Sequence, residues 1–466
     1  MLKKPNFQFD KANKMKQFIT LILLLLATFA EAQEKKWTLK ECVDYAIENN
    51  ISIQQTVLDN QLIDIDKKDA LGNFLPSINA NASHSWNIGL NINPITNVAA
   101  TQTFQNTSVG LNVGVDIFKG LQNQNRLRRS NLSKIAGQYQ LTKMKDDISL
   151  NVANAFLQIL FNKENLKVQQ EQLLNNKKQK QRTQTLVDAG SVPRGDLMDM
   201  TATVATSQQA VVNAENALLI SKLSLAQLLQ LEDFKNFDVA EADYTLTESE
   251  TMLQSADAIY NKAKEERVEL KIARANLEVA QKDIDIAKGA LLPSLQGFYS
   301  FSSRATNSDR ISSDGNGNFI VRGPDAIFNQ FSDNKGNAFG LQLSIPILNG
   351  FSVRNNIERS KVAFKRSQIA VSQQELDLKR NVYTAFTDAN GALNAYEAAV
   401  TTLEARTESY KYAKERFDVG LLNAFDLNQS QTLFANAQSD VIRTKYDYIF
   451  RVKVVEFYFG IPIAGR

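Results

Sequence analysis

Between Gly120 and Pro193 the sequence contains no proline, and apolar residues recur at Ile148, Val152, Ala155 and Ile159. That spacing is helical. Run from Leu121 to Val187, such a helix spans about 100 Å at 1.5 Å per residue. Helices of compact domains stop after three or four turns. A rod of this length needs partners along its whole side, which rules out an ordinary globular fold.

The rod occurs twice. Ser108 to Ser130 reads SVGLNVGVDIFKGLQNQNRLRRS, and Ala338 to Ser360 reads AFGLQLSIPILNGFSVRNNIERS. Gly110, Leu111, Gly120, Asn125, Arg129 and Ser130 meet Gly340, Leu341, Gly350, Asn355, Arg359 and Ser360 at a constant offset of 230. The offset holds at Val152 and Val382, at Phe156 and Phe386, and at the far end, where Asp188, Gly190, Asp196 and Leu197 meet Asp418, Gly420, Asp426 and Leu427. A register kept without gaps is what a continuous helix requires. Upstream, Leu75-Pro76-Ser77 matches Leu292-Pro293-Ser294 at an offset of 217. The chain is therefore one unit used twice. Residues 33–235 form the first repeat, 236–253 a linker and 254–466 the second repeat.

Each copy has the same parts. Thr38–Asn73 and Gln254–Leu291 have helical patterns ended by Pro76 and Pro293. Strict alternation follows. Ile78, Ala80, Ala82, His84, Trp86, Ile88, Leu90 and Ile92 share one face, and the residues between them are Ser, Asn or Gly throughout. A second strand puts Val109, Leu111, Val113, Val115 and Ile117 on one side. The second copy repeats this with Leu295, Tyr299 and Phe301, then Phe339, Leu341, Leu343, Ile345 and Ile347. A soluble sheet with one wet face alternates in the same way, as does a transmembrane wall with lipid outside and water inside. Strands of ten or more residues and a polar face lacking Lys and Glu favour the wall. After each rod a short turn leads to a return helix, Leu197–Leu231 or Leu427–Phe459, about half as long. Two such helices end to end match one rod. Val382, Ala385, Ala389, Ala392, Tyr396, Ala399 and Leu403 form an Ala-rich heptad seam for close pairing.

The N-terminus reads as a secretory signal over residues 1–32. Lys11, Lys14 and Lys16 are followed by apolar Phe18–Ala30 and an Ala30-Glu31-Ala32 cleavage pattern. Without those residues the chain carries 48 basic and 48 acidic side chains, so no basic surface points to nucleic acid. Beyond the signal no run of about 18 apolar residues occurs, hence no transmembrane helix is expected. The single Cys42 excludes an intrachain disulfide. With one histidine, His84, and no phosphate loop, neither an enzyme nor a bound cofactor or metal is expected.

About four transmembrane strands per chain cannot close a barrel, since the smallest barrels need about eight. Three chains supply twelve. The fold expected is an α+β membrane protein, a shared trimeric 12-stranded β-barrel continued by a long coiled-coil barrel of helices. At this point the chain resembles the TolC-like outer-membrane efflux family. The resemblance rests on the duplication, on the junctions Ile117-Phe118-Lys119-Gly120 and Ile347-Leu348-Asn349-Gly350, and on Arg416-Phe417-Asp418-Val419-Gly420-Leu421-Leu422-Asn423-Ala424-Phe425-Asp426-Leu427. It implies a homotrimeric exit duct in outer-membrane lipid, with its helical part in the periplasm. Such a duct works passively with a periplasmic adaptor and an energised inner-membrane pump to export drugs or other small molecules. A type I protein-secretion duct and a barrel-anchored structural stalk remain alternatives.

The candidate functional residues lie at the rod tips. Gly190 and Gly420 suit the left-handed position that ends a helix. With Val192, Pro193, Leu421 and Leu422 they form the tip turns and the expected adaptor contact. Asp196 and Asp426 stand where a carboxylate caps a return helix. The resemblance adds a gate role for Asp426, with Gln429 one turn on and Asp196 as its counterpart. Phe417 and Leu422 occupy the family's latch positions, so an apolar or loosely held constriction is expected. Of the surface loops, Asn93–Thr103 is short. Ala305–Asn337 is long, and its Phe319-Ile320-Val321 and Ile327-Phe328 are expected to fold back over the mouth.

Overall fold

The computed structural model describes residues 36–92, 99–232, 234, 237–241, 249–313, 315 and 319–463. The expected signal and parts of the linker and of the 93–103 loop lie outside them. In chain order the first copy supplies β1 (Lys36–Trp37), α1 (Leu39–Asn49), α2 (Ile51–Gly72), β2 (Ser77–Ile92), β3 (Ala99–Lys119), the rod α3 (Gln122–Asp188) and the return helix α4 (Arg194–Leu229). After β4 (Asp238–Val239) and a 3-10 turn at Glu250–Leu253, the second supplies α5 (Ala256–Glu266), α6 (Val268–Gly289) and β5 (Ser294–Thr306). It continues through β6 (Arg310–Ser313), β7 (Phe319–Arg322), α7 (Ile327–Asp333), β8 (Gly336–Ser344), the rod α8 (Ser352–Asp418) and the return helix α9 (Ala424–Phe459). Both rods are 67 residues long and both return helices 36.

Two expected elements differ. The helices expected over Thr38–Asn73 and Gln254–Leu291 are each broken once, at Asn50 and Arg267, where the backbone turns extended. These positions correspond at the offset of 217. Asn50 closes one helix and starts the next: its side chain donates to the Leu228 carbonyl at 2.9 Å and accepts the Ser52 N–H at 2.9 Å. Arg267 is buried, with its guanidinium 3.8 Å from the Phe457 ring centre and 3.3 Å from Asp146. The second difference is at Ile345 and Ile347, which lie beyond the end of β8 because Pro346 has no N–H to donate.

The chain divides into two compact units, and each takes segments from both copies. One comprises residues up to 55, 143–267 and 377–466. In it the Ala-rich seam is buried as expected from Val382 to Ala392, and Val382, Ala385 and Ala389 pack with Leu378, Ile259 and Ala263 of α5, and Val455 of α9. In the same unit Asp238 is held by Lys163 of α3 at 2.8 Å and Lys222 of α4 at 3.0 Å. Burial alone would push the Asp238 carboxyl up, but the two ammonium groups outweigh it and hold it below the usual carboxylate range. This pairing contributes stability above about pH 4 that is lost as the pH falls through the lowered value. Asp238→Asn is expected to lower stability by about 1–3 kcal/mol at pH 7. In thermal melts the gap from the parent protein narrows below pH 4. A gap unchanged at pH 3 would contradict the assignment.

The other unit, residues 56–142 and 268–376, contains an antiparallel sheet in the order β2-β3-β5-β8. Ser77 pairs with Gly114 and Ile92 with Ala99 along β2 and β3, so the alternation in sequence becomes two chemically distinct faces. Ile78, Trp86, Ile88, Leu90 and Ile92 are all more than 60% exposed, and Phe339 and Leu341 are 83% and 67% exposed. The opposite face carries polar pairs such as Ser83 with Ser108 and Asn112 with Asn81. Exposed apolar area of this extent marks an interaction or lipid surface. Among the described residues β2 and β8 are the unpaired edges of this sheet. In the long loop, α7 packs along β5, with Ser303 donating to the Phe331 carbonyl and Gln330 donating to the Thr306 carbonyl.

Candidate functional site at the rod tips

Both rods end in the same way. At the end of α3, Gly190 (φ +71°) lets its own N–H reach the Val187 carbonyl and the Ser191 N–H reach the Leu186 carbonyl, each at 2.9 Å. At the end of α8, Gly420 (φ +78°) directs its N–H to Phe417 at 3.0 Å and the Leu421 N–H to Arg416 at 2.8 Å. This is the left-handed C-cap that the sequence implies. The return helices then start differently. Pro193 precedes α4 and provides no side-chain cap. Asn423 precedes α9 and accepts the Asp426 N–H at 2.8 Å.

The capping role expected of Asp196 and Asp426 is thereby corrected. Each lies in the first turn rather than at the cap, because three non-helical residues, ending in extended Pro193 or Asn423, separate the left-handed glycine from the helix. Their carboxylates are near the positive end of the helix dipole. Neither forms an ion pair among the described residues. Asp426 and Gln429 are exposed on one side of α9, and Asp196 is half-buried. Val192 and Leu422 are half-buried as well. Leu421 and Val419 are 70% exposed and Phe425 67%, so the tip presents a small apolar crown.

A polar tie joins the rods beside these turns, at neither of the expected latch positions. Arg182 of α3 donates through Nη1 to the Asp418 carboxylate at 2.5 Å and through Nη2 to the Asp418 backbone carbonyl at 3.4 Å. The guanidinium thus neutralises both the side chain and the negative end of α8. Close by, Tyr410 stacks on Phe434, and burial, with Asp418 adding to it, raises the phenol above its ordinary range. Phe417 is half-buried.

Near the tips polar side chains are buried between rods and return helices, alongside apolar Leu197, Met200 and Leu427. Asn176 and Thr183 of α3 and Gln431 of α9 are 2%, 1% and 3% exposed. Asn176 donates to Ser207, and Asn428 donates to Thr203 at 3.2 Å, but the Asn176 and Asn428 carbonyl oxygens and the Gln179 amide nitrogen are buried without partners. Buried polar groups left unpaired weaken packing. Sequence reasoning missed Arg182, Asn423 and Asn428. The Asn423-to-Asp426 spacing carried a cap signal, whereas nothing local pointed to the Arg182 tie.

Among the described residues no group of three or more His, Cys, Asp or Glu side chains is placed to hold a metal. His84 stacks edge-on against Trp86 on the exposed apolar face. No described helix is long and apolar enough to cross a membrane.

Comparison with known proteins gives the same picture. The chain is 23% identical over 386 residues to the outer membrane protein TolC of Vibrio cholerae, covering 81% of this chain and 80% of that one. Its fold matches the outer membrane protein VceC of Vibrio cholerae with a TM-score of 0.74 at 13% identity, over 91% of this chain and 96% of that chain. It also matches the open-state MtrE outer membrane channel of Neisseria gonorrhoeae with a TM-score of 0.68 at 16% identity, over 92% and 89%. The outer membrane efflux protein model matches residues 43–230 and 259–452, one segment per copy. With the duplicated strand–rod–return unit and the family match covering most of its length, the chain belongs to the outer membrane efflux protein family.

Proposed function

We propose that three copies of this chain form a passive exit duct, with the β2-β3-β5-β8 sheets closing a barrel in the outer membrane and the rods enclosing a periplasmic channel. The chain is an outer-membrane efflux protein and not an enzyme. One observation carries the finer reading: a four-stranded sheet whose edge strands β2 and β8 bear apolar side chains such as Ile88, Leu90 and Phe339 more than 70% exposed. Hydrocarbon does not tolerate open sheet edges, so the sheet needs further copies. In this reading the crown of Val419, Leu421 and Phe425 meets a periplasmic adaptor. An inner-membrane pump supplies the energy, and the cargo is a small molecule. Asp426, with Gln429 and Asp196, lines the narrow periplasmic mouth.

Reconstitution in planar bilayers tests this. The purified protein is expected to give stepwise conductance with a preference for cations, because a ring of Asp426 carboxylates attracts them and repels anions. Asp426→Ala is expected to reduce the cation-to-anion permeability ratio by about two-fold or more. Absence of conductance overturns the duct, and an unchanged ratio overturns the role of Asp426.

A further inference from the structure

The unit that contains the sheet holds one seam between the copies, formed where β3 and α3 of the first copy meet β5 and α6 of the second. Three features close it. β3 pairs with β5, with Leu111 opposite Phe301 and Val109 opposite Ser303. Gly120 and Gly289 bring backbone against backbone: a Cβ on Gly120 would lie 2.1 Å from the Gly289 carbonyl oxygen and 3.1 Å from Leu292 Cβ, and one on Gly289 would lie 2.4 Å from the Gly120 oxygen. Beyond them Arg129 Nε donates to Asp283 Oδ1 at 2.6 Å.

The duplication carries all five of these side chains to the opposite borders of the same unit. At the offset of 230, Gly120 and Arg129 become Gly350 and Arg359; at 217, Gly289, Leu292 and Asp283 become Gly72, Leu75 and Asp66. Every residue type is kept, yet in the single chain none of these counterparts has its partner. A Cβ on Gly72 or Gly350 would meet nothing within 4 Å. Leu75 is 68% exposed. Asp66 and Arg359 are exposed and form no ion pair among the described residues. Gly72 is the sharpest case. It ends helix α2 without a left-handed φ, so neither its backbone nor its surroundings within one chain call for glycine, although glycine weakens a helix relative to alanine.

We infer that the border between neighbouring copies repeats the internal seam residue for residue. This rests on the homo-oligomeric reading above and specifies it. Gly350 of one copy packs backbone to backbone on Gly72 of the next, with Leu75 covering the contact, and Arg359 pairs with Asp66. β8 continues the sheet antiparallel to β2 of the next copy in the register of β3 and β5, which places Leu341 opposite His84 and Phe339 opposite Trp86. A partner of another kind would give no reason for the seam residues to be the same.

The test uses the full-length protein with Cys42→Ala, so that no native thiol remains. Leu341→Cys with His84→Cys is expected to give covalently linked subunits on oxidation, seen on non-reducing gels, whereas Leu341→Cys with Leu90→Cys, three side chains out of register, is not. Arg359→Asp is expected to reduce the oligomer surviving a fixed thermal challenge roughly two- to five-fold per seam, as for an exposed ion pair. Adding Asp66→Arg to restore the pair in reverse is expected to recover it. An oligomer that forms but cross-links equally in both registers, or gains nothing from the charge swap, overturns the seam and leaves the duct standing. A protein that remains a single subunit in detergent overturns both.

Discussion

Gly120→Val is expected to abolish recovery of folded, membrane-assembled protein, whereas Gly190→Val is expected to be tolerated. The two glycines share a left-handed backbone, with φ +58° and +71°. Valine at either position incurs the conformational cost of about 1–2 kcal/mol. Only at Gly120 is there an obstacle. The new Cβ would fall 2.1 Å from the Gly289 carbonyl oxygen and 3.1 Å from Leu292 Cβ, while around Gly190 there is open space within 4 Å. The obstacle is backbone at the end of α6, three residues and a proline before β5, and it cannot swing aside as a side chain would. Relief requires separating α3 from α6 and with them the start of the β3–β5 pairing. Such a rearrangement falls among the largest single-residue effects, above about 4 kcal/mol, against a total of about 5–15 kcal/mol for a whole domain. Heat-modifiable mobility of the membrane fraction on gels reads the outcome. If Gly120→Val assembles as well as Gly190→Val, the close approach at the strand-to-rod junction is not part of the native structure.

How far the sequence makes this architecture legible depends on whether a feature is local. The rod limits are legible because their ends are glycines with a positive φ, Gly120 with Gly190 and Gly350 with Gly420, and because the duplication states each of them twice. The sheet is legible because one residue in two is apolar. The breaks at Asn50 and Arg267 are not, since helical periodicity runs through them and what makes them breaks is distant: the Leu228 carbonyl for one, Phe457 and Asp146 for the other. At corresponding positions the two copies use unlike residues, so even the repeat hides the similarity. The tip shows both cases. Its glycine turns follow from local geometry, while the Arg182–Asp418 tie joins residues 236 apart. The counterpart of Arg182 in the second copy is Tyr412, so the duplication provides no second instance.

That asymmetry leads to a prediction about opening. Within one chain the rods are tied at the tip by a charged pair. At the equivalent place between chains in the proposed trimer, Tyr412 would face Asp188, a neutral hydroxyl in place of a guanidinium. The packing behind the tie contains buried polar groups without partners at Asn176, Gln179 and Asn428, and the tie adds to what holds this end closed. Arg182 and Asp418 are 44% and 36% exposed, so screening limits each pair to about 0.5–1 kcal/mol. Three ties acting together amount to about 1.5–3 kcal/mol, which corresponds to roughly a 10- to 150-fold change in the ratio of closed to open channels if opening breaks all three. Arg182→Ala is therefore expected to raise open probability in planar bilayers by about ten-fold or more, and Arg182→Lys by less, because an ammonium lacks the planar fork that serves the carboxylate and the helix-end carbonyl together. Raising the salt concentration is expected to open the parent channel progressively and to have little further effect on Arg182→Ala. Equal open probability and equal salt response in parent and variant would show that the tie does not hold the mouth, leaving the apolar contacts of Phe417 and Leu422 to close it.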